Sequence, residues 1–391
     1  MPLLLAAAPA ELLVDRPLAQ SVEQLQAAVN AAPEDQNARF ALGVAQFCRA
    51  VEKIAGRLHE HGMLQTGVTD ALPIFRMPLP PNPKPAEITA EKLDAILADF
   101  AADLVQAEQT LAGVNDPAVK LALRPALIQL DLNGAAPGGE MPAWQFFEEL
   151  RNAPDEGRAA AEQFVIQFDL GDAYWLRGYS HLLCAVAEIM AAYDKTELME
   201  RTGHLLFANA QSPYKFLKRG PKVFEISPNV DVLDAIAFIH LWNFPLKDAE
   251  KMRSARRHLL ATMDCSDASW KAIQAETDND AEWIPNPQQD TVMPGIRITQ
   301  EMIDAWRAFI ADGRDILEGR RLVPFWRSAD GRGVNFMKVF DDPRPFDLVL
   351  WVQGTAAAPY LEDGNLANSR TLEQLERLLQ GRTFMFALWV N

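Results

Sequence analysis

The sequence predicts a mainly α-helical protein with minor β content, made of two duplicated helical halves in a pseudo-twofold arrangement, the second enlarged by an insertion. Three observations carry this expectation. Long segments repeat apolar residues at i, i+3, i+4 and i+7, the spacing of a single buried helix face. Four sequence echoes recur in the same order in the two parts of the chain. Stretches with the period-two alternation of a strand are few and short.

The opening segment, 1–19, starts "MPLLLAAAPAELLVD". Its apolar start and Ala8-Pro9-Ala10 fit the small-x-small rule for signal cleavage, but a basic leading region is missing and the apolar run is short. Two readings stand side by side: the remnant of a secretory signal, which places the protein in the periplasm or outside the cell, and an N-terminal helix. No run of 18 apolar residues occurs, so no helix is expected to span a bilayer.

The halves are read as 20–168 and 169–391. "ARFALGVAQFCRAVEKIAGRL" (38–58) aligns without a gap on "AYWLRGYSHLLCAVAEIMAAY" (173–193). "ITAEKLDA" (88–95) recurs as "ITQEMIDA" (298–305). In this second pair Thr89 and Thr299 are N-caps, Glu91 and Glu301 sit in the first turn, and Ile88/Leu93 and Ile298/Ile303 form hydrophobic staples. Both starts follow proline-rich segments, 77–85 and 284–294, expected to be stiff extended connectors. "RPALIQLDLNGAAP" (124–137) matches "RPFDLVLWVQGTAAAP" (344–359), where the alternation in "FDLVLWV" predicts a strand closed by a glycine. A short amphipathic helix then follows in each half, at 144–150 and 372–379, and a terminal apolar run, 383–390, reads as a buried strand or helix. The spacing between echoes grows from the first pair to the second, which assigns an insertion of about 75 residues to 195–290.

"PEDQNARFALGVAQF" (33–47), with Leu42-Gly43 after a proline, resembles the first helix of a tetratricopeptide repeat. The resemblance implies antiparallel helix pairs of that packing style, as found in partner-binding proteins, and carries over no catalytic residue.

Composition excludes some classes. Apolar residues make up 49% and charged residues 23%, an ordinary balance for a globular chain, and the formal net charge is −16. A nucleic-acid partner is not expected, because such binding needs a basic surface that releases counterions. The three cysteines, Cys48, Cys184 and Cys265, are widely spaced and form neither a disulfide framework nor a zinc pattern; Cys48 and Cys184 read as small core or seam residues.

The candidate site lies on the helix at 174–194. Tyr174, Arg177, His181, Cys184 and Glu188 fall on one stripe, opposite the Trp175–Leu182–Val186 seam. The simpler reading is a solvated or groove-lining face. The sharper one makes Tyr174, Arg177, His181 and Glu188 a ligand site, with His181 as a general base oriented by a carboxylate. Elsewhere, "HEHG" (59–62) places its histidines too far apart around a helix to share a metal, and "DLNG" (131–134) lacks the later ligands of a calcium loop and reads as a turn. No nucleophile elbow, Walker loop, dinucleotide fingerprint or H-E-x-x-H occurs. Six of nine tryptophans (Trp270, Trp283, Trp306, Trp326, Trp351, Trp389) follow residue 265, either as core of the second half or as the lining of a glycan or peptide cleft. The sequence therefore leads to a non-enzymatic binding protein of a bacterial envelope, taking a peptide, glycan or protein partner without metal or cofactor; the alternative is a hydrolase-like enzyme using Arg177, His181 and Glu188.

Overall fold

A computed structural model describes residues 8–66, 69, 77–134, 139–146, 154–217, 230–293, 297–327, 330–368, 373 and 376–378. Its helices are α1 (Leu18–Ala31), α2 (Gln36–Glu60), α3 (Ala90–Leu111), α4 (Pro154–Gln163), α5 (Leu170–Ala191), α6 (Thr196–Thr202), α7 (Val230–His240), α8 (Ala249–Ala275), α9 (Gln300–Leu317), α10 (Phe336–Asp341) and α11 (Leu348–Gln353). The small sheets are two- or three-stranded, such as the antiparallel pair Leu121–Leu123 with Ile166–Phe168. The fold is mainly helical with minor β content, as the sequence predicts.

The helix starts follow from their caps. Asp35 accepts a hydrogen bond from the Ala38 amide at 2.9 Å and opens α2. Thr89 and Thr299 accept from the amides of Lys92 and Met302, each at 3.2 Å, and open α3 and α9. The staple residues Ile88, Leu93, Ile298 and Ile303 are all buried. Asp169 and Asp172 form a reciprocal capping box at the head of α5.

The long helices form a row in which each packs antiparallel on the next: α1 on α2, α2 on α3, α3 on α5, α5 on α8, and α8 on α9. Between α2 and α3, Gly43 leaves room for Leu111, two of whose carbons would lie 2.5 Å from an added Cβ. Between α5 and α8 the approach is closer and regular. Gly171, Gly178, Ala185 and Ala192 recur every seven residues, as do Asp248, Ala255, Thr262 and Ser269. The Ser269 hydroxyl donates to the Gly171 carbonyl at 2.9 Å, the Thr262 hydroxyl donates to Gly178 at 3.3 Å, and the Asp248 amide donates to Ala192 at 3.0 Å. Ala185 and Ala255 are fully buried in one cluster between them. Small side chains at heptad spacing let two antiparallel backbones come within reach of each other's hydroxyls.

This packing crosses the expected boundary at 168/169. The main buried cluster joins Ile54, Leu97 and Phe100 to Cys184, Met199 and Phe207. The segment read as an insertion holds α8, the principal partner of α5. The echoes do not mark equivalent packing either: at Gly43, α2 meets α3, whereas at Gly178, α5 meets α8, with α9 one place further along the row. What 88–95 and 298–305 share is a helix start. "FDLVLWV" is also corrected. Only Phe346–Asp347 is strand, because Asp347 accepts from the Leu350 amide at 2.9 Å and caps α11. Gly354 does close the segment, in the left-handed region at φ 111°. The proline-rich 284–291 is no extended connector. Asn286 donates to the carbonyls of Ile273 and Glu276 at 3.1 and 3.3 Å and caps the C-terminus of α8. Of the expected 144–150 helix, the described part through Phe146 is a 3₁₀ turn; 147–150, most of 372–379 and all of 383–390 lie outside the described residues.

The seam predicts a sensitivity specific to its small residues. Ala185→Leu should lower the unfolding free energy in urea by about 1–3 kcal/mol, whereas Ala159→Leu, exposed on α4, should stay within about 0.5 kcal/mol of the parent.

Candidate functional site

The stripe on α5 faces neighbouring helices. The Arg177 guanidinium binds Glu108 of α3 through Nε at 3.0 Å and Nη2 at 2.9 Å, with Tyr174 beneath its plane. His181 Nε2 lies 3.5 Å from the same carboxylate, and its Nδ1 lies 2.9 Å from Nδ1 of His258 on α8. His258 Nε2 in turn lies 3.8 Å from Glu188 Oε2. The five charged or titratable groups are 13–21% exposed, so the stripe is neither a solvated face nor a sealed core.

Burial and neighbours set their protonation. Burial alone would raise Glu108, but His181 and Arg177 hold it below the usual carboxylate range. Burial raises Glu188, only partly offset by a hydrogen bond from Ser254. Burial and the adjacent His181 push His258 down to about 4. The thiols of Cys184 and Cys265 are pushed up by burial to about 12 and about 11, so neither is a thiolate at neutral pH. Sequence reasoning placed Arg177, His181 and Glu188 on one stripe correctly. It missed Glu108 and His258, which come from other helices. It also paired His181 with Glu188, whereas Glu188 faces His258.

A second polar cluster closes the end of the α5–α8 seam. Carboxylate oxygens of Asp169, Glu276 and Glu282 all lie within 4.8 Å of one another. Asp169 accepts from the Gly171 amide at 2.8 Å, Glu282 from the Asp280 amide at 2.9 Å, and Glu276 from Gln289 at 3.3 Å. Lys120 Nζ, 3.9 Å from Asp169 and 2.6 Å from Asp278, is the nearby cation. Burial, followed by the negative charge of Asp169, pushes Glu276 up to about 9, and burial raises Asp169, Asp172 and Glu282 as well. Glu276 thus stays protonated at neutral pH and donates to Asp169.

A separate concavity lies elsewhere. A cleft of about 840 Å³ opens between α2, α3 and the 131–134 turn. At its floor Glu52 is buried, pairing with Arg49 and accepting the Asp131 amide at 2.7 Å. Asp131 and Asn133 of "DLNG" line it, the chain turning at Gly134 with φ 67° as expected of a turn. His59 lies on its rim, while His61 is buried with Nδ1 3.2 Å from the Ala86 carbonyl, so the two histidines do point apart. The late tryptophans are mainly core: Trp270 and Trp306 are fully buried and Trp283 partly so, Trp326 is exposed, and Trp389 is outside the described residues.

The acidic cluster fixes a pH dependence. Glu276 keeps its proton in the folded state from its ordinary 4.5 up to about 9, whereas the unfolded chain has lost it. Folding therefore takes up a proton throughout that window, and stability falls as pH rises through it. The melting temperature of Glu276→Gln should fall less than that of the parent between pH 5 and pH 8.5; equal slopes would contradict the assignment. No protein-family model, curated protein sequence or solved structure matches the chain.

Proposed function

We propose that the protein is a non-catalytic binding protein that takes a basic peptide segment in the cleft between α2 and α3. The observation that carries this is the cleft's lining. Its volume lies within the range of ordinary ligand sites. Carboxylates outnumber cations there, with Glu52, Glu60, Asp99, Asp103 and Asp131 set against Arg49, Lys53 and Arg57. Lys53 is already paired with Asp103 at 2.8 Å. The lining holds no Trp or Tyr, and its one Phe, Phe100, is buried, which favours a peptide over a sugar that would need a stacking platform. The net charge of −16 steers a cationic partner the same way.

The hydrolase reading has less support. His181 is held by Glu108 and His258 between helices, and Glu188 lies beside the other imidazole. A reading as an associating subunit is favoured by one feature: Val232, Leu233, Ile236 and Ile239 on α7 are 51–59% exposed, and α7 abuts α11, where Val349 and Val352 are exposed too.

Fluorescence anisotropy with a labelled lysine-rich peptide and a glutamate-rich peptide of equal length tests the main reading. The basic peptide should bind selectively, more weakly as salt rises, and Asp99→Lys should weaken it at least tenfold. Equal binding of both peptides, or indifference to Asp99→Lys, would overturn it. Sedimentation velocity tests the second: Ile236→Glu should shift the protein to monomer if α7 is a self-association face, and a parent that is already monomeric excludes that.

A further inference from the structure

Four side chains between α3, α5 and α8 form a chain of contacts: Glu108 Oε1 to His181 Nε2, His181 Nδ1 to His258 Nδ1, and His258 Nε2 to Glu188 Oε2, at 3.5, 2.9 and 3.8 Å. Each junction joins two atoms that both carry lone pairs, so each needs a hydrogen or a cation between them. Two neutral imidazoles supply two N–H groups for three junctions. Whichever way the tautomers fall, one junction sets lone pair against lone pair. Glu188 Oε2 is buried and has no hydrogen-bond partner. One further proton, or one cation, completes the chain. Arg177 already balances Glu108, which leaves Glu188 as the carboxylate still to be compensated.

We propose that the Nδ1 atoms of His181 and His258 hold a divalent transition-metal ion, with Glu108 and Glu188 accepting hydrogen bonds from the two Nε2–H groups. A cation on the Nδ1 pair fixes both imidazoles in the Nε2–H tautomer, so all three junctions are satisfied at once. A carboxylate on the far nitrogen is the usual partner of a metal-binding histidine, orienting the ring and raising its basicity. The Nδ1 separation of 2.9 Å is that of two neighbouring ligands at a right angle with bonds of about 2.0–2.1 Å. A tetrahedral ion would need them roughly 3.3–3.4 Å apart. By this separation, ions that accept ligands at right angles, Cu²⁺ and Ni²⁺, fit ahead of Zn²⁺, and binding would draw the His258–Glu188 contact in from 3.8 Å to hydrogen-bond length. Water or an added ligand takes the remaining positions. The proposal does not depend on the peptide cleft, which lies on the α2–α3 side of the row.

The test uses the full chain stripped with EDTA. Calorimetric titration with Ni²⁺ should show one site per chain, and Ni²⁺ should raise the melting temperature. Cu²⁺ should give a paramagnetic-resonance spectrum with hyperfine splitting from two imidazole nitrogens. His181→Ala and His258→Ala should each weaken Ni²⁺ binding at least 100-fold, and Glu188→Gln about tenfold, while His240→Ala should leave it unchanged. His181→Gln and His258→Gln serve the same purpose if the alanine variants do not fold. Titrations of the His181 and His258 variants that match the parent, fewer than two coupled nitrogens, or no Ni²⁺ site at all would each overturn the proposal.

Discussion

The close seam between α5 and α8 is the constraint on which the rest of the structure depends. Small residues seven apart, Gly171, Gly178 and Ala185 on α5 facing Ala255, Thr262 and Ser269 on α8, remove the side chains that would hold the backbones at an ordinary distance. Hydroxyls of Thr262 and Ser269 then reach across to carbonyls of α5. Such a seam buries little apolar area per residue. Its strength lies in backbone proximity, dense packing and satisfied polar groups, so one enlarged side chain disturbs it along its length.

Both polar clusters follow from this proximity. His181 and His258 flank the seam beside Gly178 and Thr262, and their imidazole nitrogens lie 2.9 Å apart. At the seam's end, the head of α5 brings Asp169 and Asp172 against Glu276 at the foot of α8. With Lys120 beside Asp169, the crowding and burial raise all of these carboxyl groups, and Glu276 keeps its proton at neutral pH. On the other side of the row, α2 and α3 meet through Gly43 and Leu111, and the charged cleft opens further along the same pair.

Helix positions were legible in the sequence because their signals are local. Apolar periodicity placed α2 and α5, and the cap and staple residues around Thr89 and Thr299 placed the starts of α3 and α9. The turn at Gly134 and the stop at Gly354 were legible for the same reason. The packing order was not, since an echo in sequence reports shared local chemistry and says nothing about which helix is the neighbour. "FDLVLWV" misled because strand alternation outweighed the cap signal of Asp347. Half of the histidine cluster was visible as a stripe; Glu108 and His258 were not, being 69 and 77 residues from their partners. One non-local sign is readable without coordinates: small residues recur every seven positions over 171–192 and 255–269.

Since α5 is shared by the helices on both sides, the row should unfold as one cooperative body. Native-state hydrogen exchange measures this most directly. Amides in the middle of α5 and of α8 should exchange only through the global opening, with the same free energy as those of α2 and α3. If α8 and α9 instead open together at a distinctly lower free energy while α2 and α3 remain protected, the seam is not what holds the molecule together.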